Sequence, residues 1–164
     1  MRWLGLCCAG LRVPGSREAD LRTNDGSYVT YSPGITDTTQ TVTAAICESY
    51  SCGPLGSVAS GSGSLTISQS ASCLSSVSEP SNTLTCTWNS PNGSSTISFP
   101  ATTVTRAADG TTTIVSVGTV TSGLGQGEVA TRTVVLPRLN PDECGSAQGV
   151  TQESGPATLV IAPV

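Results

Sequence analysis

The chain has 164 residues, a formal net charge of −4, 11 % charged residues and no His, and all seven of its basic residues are Arg. That length suits one ordinary domain with an appended segment. The scattered arginines argue against a nucleic-acid or anionic-membrane partner, which needs a basic cluster to release counterions, and the lack of histidine removes the usual general base of Ser and Cys nucleophiles and the commonest metal ligand.

From the N-terminus, Met1-Arg2 and then the short apolar run from Trp3 to Leu11 follow the order of a secretory signal, so residues 1–20 read as a possible signal or non-core leader. Residues 21–64 are rich in Ser, Thr and Gly and read as short strands or loops, with part of a preceding β domain as the alternative reading. Cys47 and Cys52 enclose four residues there, and a bond between them would close a small ring that presents Tyr50. A loop preorganised in this way binds at lower ordering cost, which makes Tyr50 the candidate partner-binding residue, ahead of Tyr28 and Tyr31.

Beyond residue 64 the period of a half-buried strand becomes clear. Leu65-Thr66-Ile67 and Leu84-Thr85-Cys86-Thr87-Trp88 place apolar groups at every second position, so Leu84, Cys86 and Trp88 share one face. Ser90-Pro91-Asn92-Gly93 is turn chemistry, and Asn92-Gly93-Ser94 is a possible glycosylation sequon in a eukaryotic secretory pathway. Strands follow around Ile97–Phe99, over Thr112–Val120, over Val129–Leu136 and over Ala157–Ile161, separated by Ala108-Asp109-Gly110, by the glycine run at 123–127 and by Pro137 and Pro141. No stretch holds a helical period. The fold class expected is all-β, an antiparallel β-sandwich, with residues 65–164 as its domain.

Ser78 to Trp88 resembles the entry into an immunoglobulin-like domain, with Cys86 at the place of the first core cysteine. Thr133–Leu136 followed by Leu139-Asn140-Pro141-Asp142-Glu143 is similar to that family's strand and acidic corner, and Ala157–Ile161 resembles its closing strand. The resemblance covers about residues 65–164 and implies a Greek-key sandwich in which Cys86 and Cys144 form a bond of plausible loop length. Ala147 stands at the corner tyrosine's place and Phe99 at the core tryptophan's.

Seven cysteines in such a chain favour an oxidising compartment. The candidate disulfide cysteines are Cys47, Cys52, Cys73, Cys86 and Cys144, an odd set. No motif selects a catalytic pair of carboxylates, and Asn140, Asp142 and Glu143 offer too few oxygens for calcium. The chain therefore reads as a secreted or cell-surface, non-enzymatic recognition or adhesion module for a protein or glycan, without cofactor or metal. No apolar run reaches the roughly 20 residues of a transmembrane helix. The alternatives are a structural surface protein that associates with copies of itself, or a secreted enzyme inhibitor using residues 47–52.

Overall fold

A computed structural model describes residues 6–9, 27–52, 60–75, 79–89 and 93–162. These form β1 (Leu6–Ala9), β2 (Ser27–Ile35), β3 (Gln40–Cys52), β4 (Ser60–Ala71), β5 (Asn82–Asn89), β6 (Gly93–Arg106), β7 (Thr112–Gly123), β8 (Val129–Leu136), a single helical turn α1 (Pro141–Cys144), β9 (Val150–Gly155) and β10 (Ala157–Ala162). Every pairing among them is antiparallel, and from β2 to β8 each strand hydrogen-bonds to the next in sequence. Among the described residues no helix is long and apolar enough to cross a membrane.

The sheet curls until its margins meet on one run of chain. β9 and β10 are interrupted only at Pro156, which cannot donate to a ladder. β9 pairs with β2, from Ser27↔Gly155 to Thr30↔Gln152, while β10 pairs with β8, from Ala157↔Val134 to Ala162↔Val129. Val135 N donates to Pro156 O across the join (3.0 Å). β1 lies in line with β2, between the end of β3 and β10. Ten strands thus occupy eight positions, because β1 and β2 share one and β9 and β10 share another. A ring of about eight strands has an interior that side chains can fill, with room for at most one small ligand.

Alternation decides what fills it. β5 reads buried–exposed throughout, so Leu84, Cys86 and Trp88 point inward, and the same period turns Leu65 and Ile67 of β4, Ile97 and Phe99 of β6, Val134 and Leu136 of β8 and Leu159 and Ile161 of β10 into one core. Gly61 and Gly63 also face inward on β4. A Cβ at Gly61 would collide with the Trp88 ring, and one at Gly63 would press on Leu84 and Tyr50. The two glycines therefore make the space that the two large aromatics occupy.

The all-β, antiparallel expectation describes the chain, while among the described residues one sheet is found where the expected sandwich would have two. One sheet winds round instead, because consecutive hairpins leave each strand next to its neighbour in sequence. The domain boundary expected at 64/65 falls inside β4, whose whole length from Ser60 to Ala71 pairs with β3. Of the expected leader, Leu6–Ala9 form β1 and the remainder lies outside the described residues.

The cysteine pairing also differs from that implied by the immunoglobulin resemblance. Cys144, buried in α1, is bonded to Cys73, just past β4, and Cys86 is a free, buried thiol. Parity on β5 aims Cys86 into the barrel, away from the rim where α1 sits. Closing a loop of sequence separation 71 stabilises the fold by about 4 kcal/mol in the chain-entropy account. Urea denaturation of the Cys73→Ser/Cys144→Ser double variant should show a loss of about 2–5 kcal/mol. Peptide mapping of the native protein should recover the 73–144 bond and no bond from Cys86.

Candidate functional site

Two charged residues occupy inward positions that the strand period reserves for the core. Glu48 follows Val42, Ala44 and Ile46 along β3, and Arg132 stands between Ala130 and Val134 on β8. They meet across the barrel. Arg132 Nε donates to Glu48 Oε1 (2.7 Å), its Nη2 lies 2.5 Å from the same oxygen, and the side chains are 1 % and 0 % exposed. Tyr50, two residues on and on the same face, donates its hydroxyl to Glu48 Oε2. Burial and then the Glu48 carboxylate raise Tyr50 far above an ordinary phenol, so the hydroxyl keeps its proton and remains a donor. Cys86 is pushed up to about 12, chiefly by burial and then by Glu48, and is an inert thiol near neutral pH.

This charged layer divides the interior. On one side Trp88, Phe99, Ile97, Leu159 and Ile161 pack tightly, and Trp88 Nε1 donates to Ser95 Oγ (2.8 Å), which donates to Leu124 O (2.6 Å). On the other side lies a cavity of about 60 Å³ bounded by Glu48, Arg132, Tyr31, Ile67, Ile114 and Leu136 among others. Glu79, Arg106, Gln69 and Glu153 also reach it. The walls are mostly apolar, and the volume suits about four to five waters or as many heavy atoms of a ligand.

Several polar atoms at the cavity have no hydrogen-bond partner among the described residues: both carboxylate oxygens of Glu79, Gln69 Oε1, Arg106 Nε and Arg132 Nη1. Arg132 Nη1 comes within 3.6 Å of Glu79 Oε1 without making a hydrogen bond, and the Glu79 side chain is 3 % exposed. Burial raises Glu79 above the ordinary carboxylate range despite Arg132 beside it. Burial likewise raises Glu153, which accepts the Tyr31 hydroxyl at 2.6 Å. Arg106 Nη1 donates to Cys73 O (3.2 Å), so the disulfide and the cavity rim are held together.

The residues singled out from sequence fall elsewhere. Tyr50 is not a loop anchor: it is 3 % exposed in the barrel wall, because its position on β3 has the inward parity of Val42 and Ala44. Cys47 is a free thiol, and a ring with Cys52 is ruled out because both lie on one extended strand. Five residues at roughly 3.3 Å each carry their backbones beyond disulfide reach. Asn92 lies outside the described residues. Asn140 caps α1 by accepting from Asp142 N (3.0 Å) and donates to Glu143 Oε1 (3.4 Å), so that acidic corner is a helix cap. Glu48, Glu79 and Arg132 were not singled out, although a charge in the inward register of an apolar strand is a signal that parity could have raised. No family model matches the chain, and comparisons with curated proteins and with solved structures likewise find no match.

Breaking a buried ion pair from one side leaves an unanswered charge. Glu48→Gln should cost about 3–5 kcal/mol, Arg132→Met a similar amount, and the double variant less than the sum of the two. Tyr50→Phe, which removes only the hydroxyl, should cost about 1–3 kcal/mol. A Glu48→Gln/Arg132→Met cycle with no coupling in urea denaturation would refute this account.

A pH dependence follows from Glu79 and Glu153. Their folded values are raised above 4.5, so folding takes up protons, and the associated stability is complete below that value and lost as pH rises through the folded values. Melting temperature should therefore climb as pH is lowered from neutrality toward 4.5, and Glu79→Gln together with Glu153→Gln should flatten that rise.

Proposed function

We propose that this protein is a non-enzymatic extracellular recognition module that takes a small ligand into its barrel. The observation that carries the reading is the mostly apolar cavity into which buried Glu79 and Arg132 direct atoms that the described protein leaves without hydrogen bonds. Buried polar groups are costly to leave unpaired, and small-ligand sites are typically apolar with a few convergent polar groups.

The remaining features fit this assignment. The Cys73–Cys144 bond is compatible with an oxidising compartment and hence with secretion. The chain has no histidine, Glu48 is engaged by Arg132 and Tyr50 and Glu153 by Tyr31, and no nucleophile–base pair is evident among the described residues, which favours binding over catalysis. Self-association through strand edges is the weaker reading, because the free backbone of Leu65–Ala71 of β4 and of Pro100–Arg106 of β6 borders the cavity, which leaves the outer edge of β9 as the other unpaired edge among the described residues.

The test is a thermal-shift and NMR screen with fragments of about four to eight heavy atoms. Hits should stabilise the wild-type protein and perturb resonances of Ile67, Ile114 and Leu136. They should disappear in Val104→Phe, which places a ring in the cavity from the half-buried rim of β6. Hits that survive in that variant, or a screen with none, would overturn the reading.

A further inference from the structure

Charge and hydrogen-bond bookkeeping around the cavity narrows the ligand. The lining side chains include three carboxylates, Glu48, Glu79 and Glu153, against two guanidinium groups, Arg106 and Arg132. Glu48 and Arg132 answer one another, Glu48 receives Tyr50 as well, and Arg132 Nη1 lies 3.6 Å from Glu79 Oε1, so Arg132 is shared between two carboxylates. With every lining acid ionised the remainder carries one negative charge in excess. The unpartnered atoms lean the same way: three are acceptor oxygens, two on Glu79 and one on Gln69, and two are guanidinium nitrogens.

We infer that the cavity takes a small organic monocation, a primary ammonium on a short apolar body. This rests on the reading of the cavity as a ligand site. An ammonium offers three donors and no acceptor, equal in number to the unpartnered acceptors, and one positive charge, equal to the excess. The Glu79 carboxylate supplies its counter-charge, and the apolar walls formed by Ile67, Ile114, Val134 and Leu136 receive its carbon chain. An anion of the same size would find Arg132 Nη1 and Arg106 Nε, but it would lie beside Glu79 and double the excess negative charge. A neutral alcohol would satisfy fewer of the acceptors and leave the excess unbalanced.

The volume sets the size. Room for four to five waters corresponds to n-butylammonium, with five heavy atoms. Binding should also release a proton whenever Glu79 is protonated in the unliganded protein, since a cation beside it favours the carboxylate.

The experiment compares n-butylammonium, 1-butanol and butyrate by NMR titration and calorimetry on the full chain, with wild type, Glu79→Gln and Val104→Phe. Butylammonium should bind at least tenfold more tightly than either of the others. Glu79→Gln, isosteric and on a non-helical segment outside the strands, should weaken butylammonium about tenfold or more while leaving butanol within twofold. Calorimetry in buffers of different ionisation enthalpy should show proton release that Glu79→Gln abolishes. Butyrate or butanol binding best, with loss in Val104→Phe, would overturn the ammonium assignment and leave the cavity reading standing. No binding by any of the three, with circular dichroism confirming folded protein, would overturn the ammonium assignment, and a fragment screen equally empty would remove the cavity reading with it.

Discussion

A guanidinium removed from water must be answered by an opposite charge, and in this chain the answer comes from the far side of the barrel. Arg132 reaches from β8 to Glu48 on β3, strands 84 residues apart in sequence at the contact. Desolvation alone would lower Arg132, but Glu48 holds it above its ordinary value, so it stays charged. A salt bridge of this kind is weak evidence of net stability, since an apolar pair of equal volume is often as good or better. What it fixes is register. If β3 or β8 slipped by one residue, Glu48 or Arg132 would leave the interior and every alternating side chain on that strand would turn over with it. The pair therefore penalises the slips to which a sheet rich in Ser, Thr and Gly is otherwise prone.

The closed ring depends on that register. The final run of chain must present Val150–Gly155 to β2 and Ala157–Ala162 to β8 at the same time. Only one alignment of the winding brings both margins to it. Closure disposes of most free strand edges, and the Cys73–Cys144 bond, with Arg106 donating to Cys73 O, ties down the rim where β5 is too short to fill the wall between β4 and β6. Among the described residues this covalent link thus sits beside a gap in the ladder, where Leu65–Ala71 of β4 and Pro100–Arg106 of β6 have no strand between them.

Much of the strand inventory was legible because Thr, Val and Ile in alternation with apolar partners leave little doubt. The span Val129–Leu136 coincides with β8, and Leu84, Cys86 and Trp88 share the buried face of β5 as their spacing implies. Residues 21–64 read only as short strands or loops for a physical reason. On β4 the inward positions nearest Trp88 are Gly61 and Gly63, and on β3 they include Ala44 and Glu48, so the period of two carries almost no hydropathy contrast. Tyr50 was misplaced by the same weakness, since parity with Val42 was visible but the flanking cysteines suggested a ring. Winding into one sheet rather than two is a property of the long-range pairing of β9 and β10, and no local pattern encodes it.

Along five of the strands charge is distributed inversely to the usual arrangement, and this bears on the site. The outward positions of β3, β4, β5, β7 and β8 hold Ser, Thr, Val, Ala, Asn and Cys47, with no acid or base among them. Glu48, Glu79, Arg106, Arg132 and Glu153 instead line the cavity. A chain with 11 % charged residues thus commits five of them to one internal space. The two ends of the barrel show that this is not general looseness. Beyond the Glu48–Arg132 layer, toward Trp88, two glycines admit two large aromatics and the core is tight, whereas on the other side the fillers are Ile, Val and Leu with Tyr31, and space remains. Closing that space would take no more than a larger apolar side chain at Val104 or Ile114. The barrel instead surrounds it with groups that need hydrogen-bond partners, and an interior of that kind is suited to holding something polar as well as apolar.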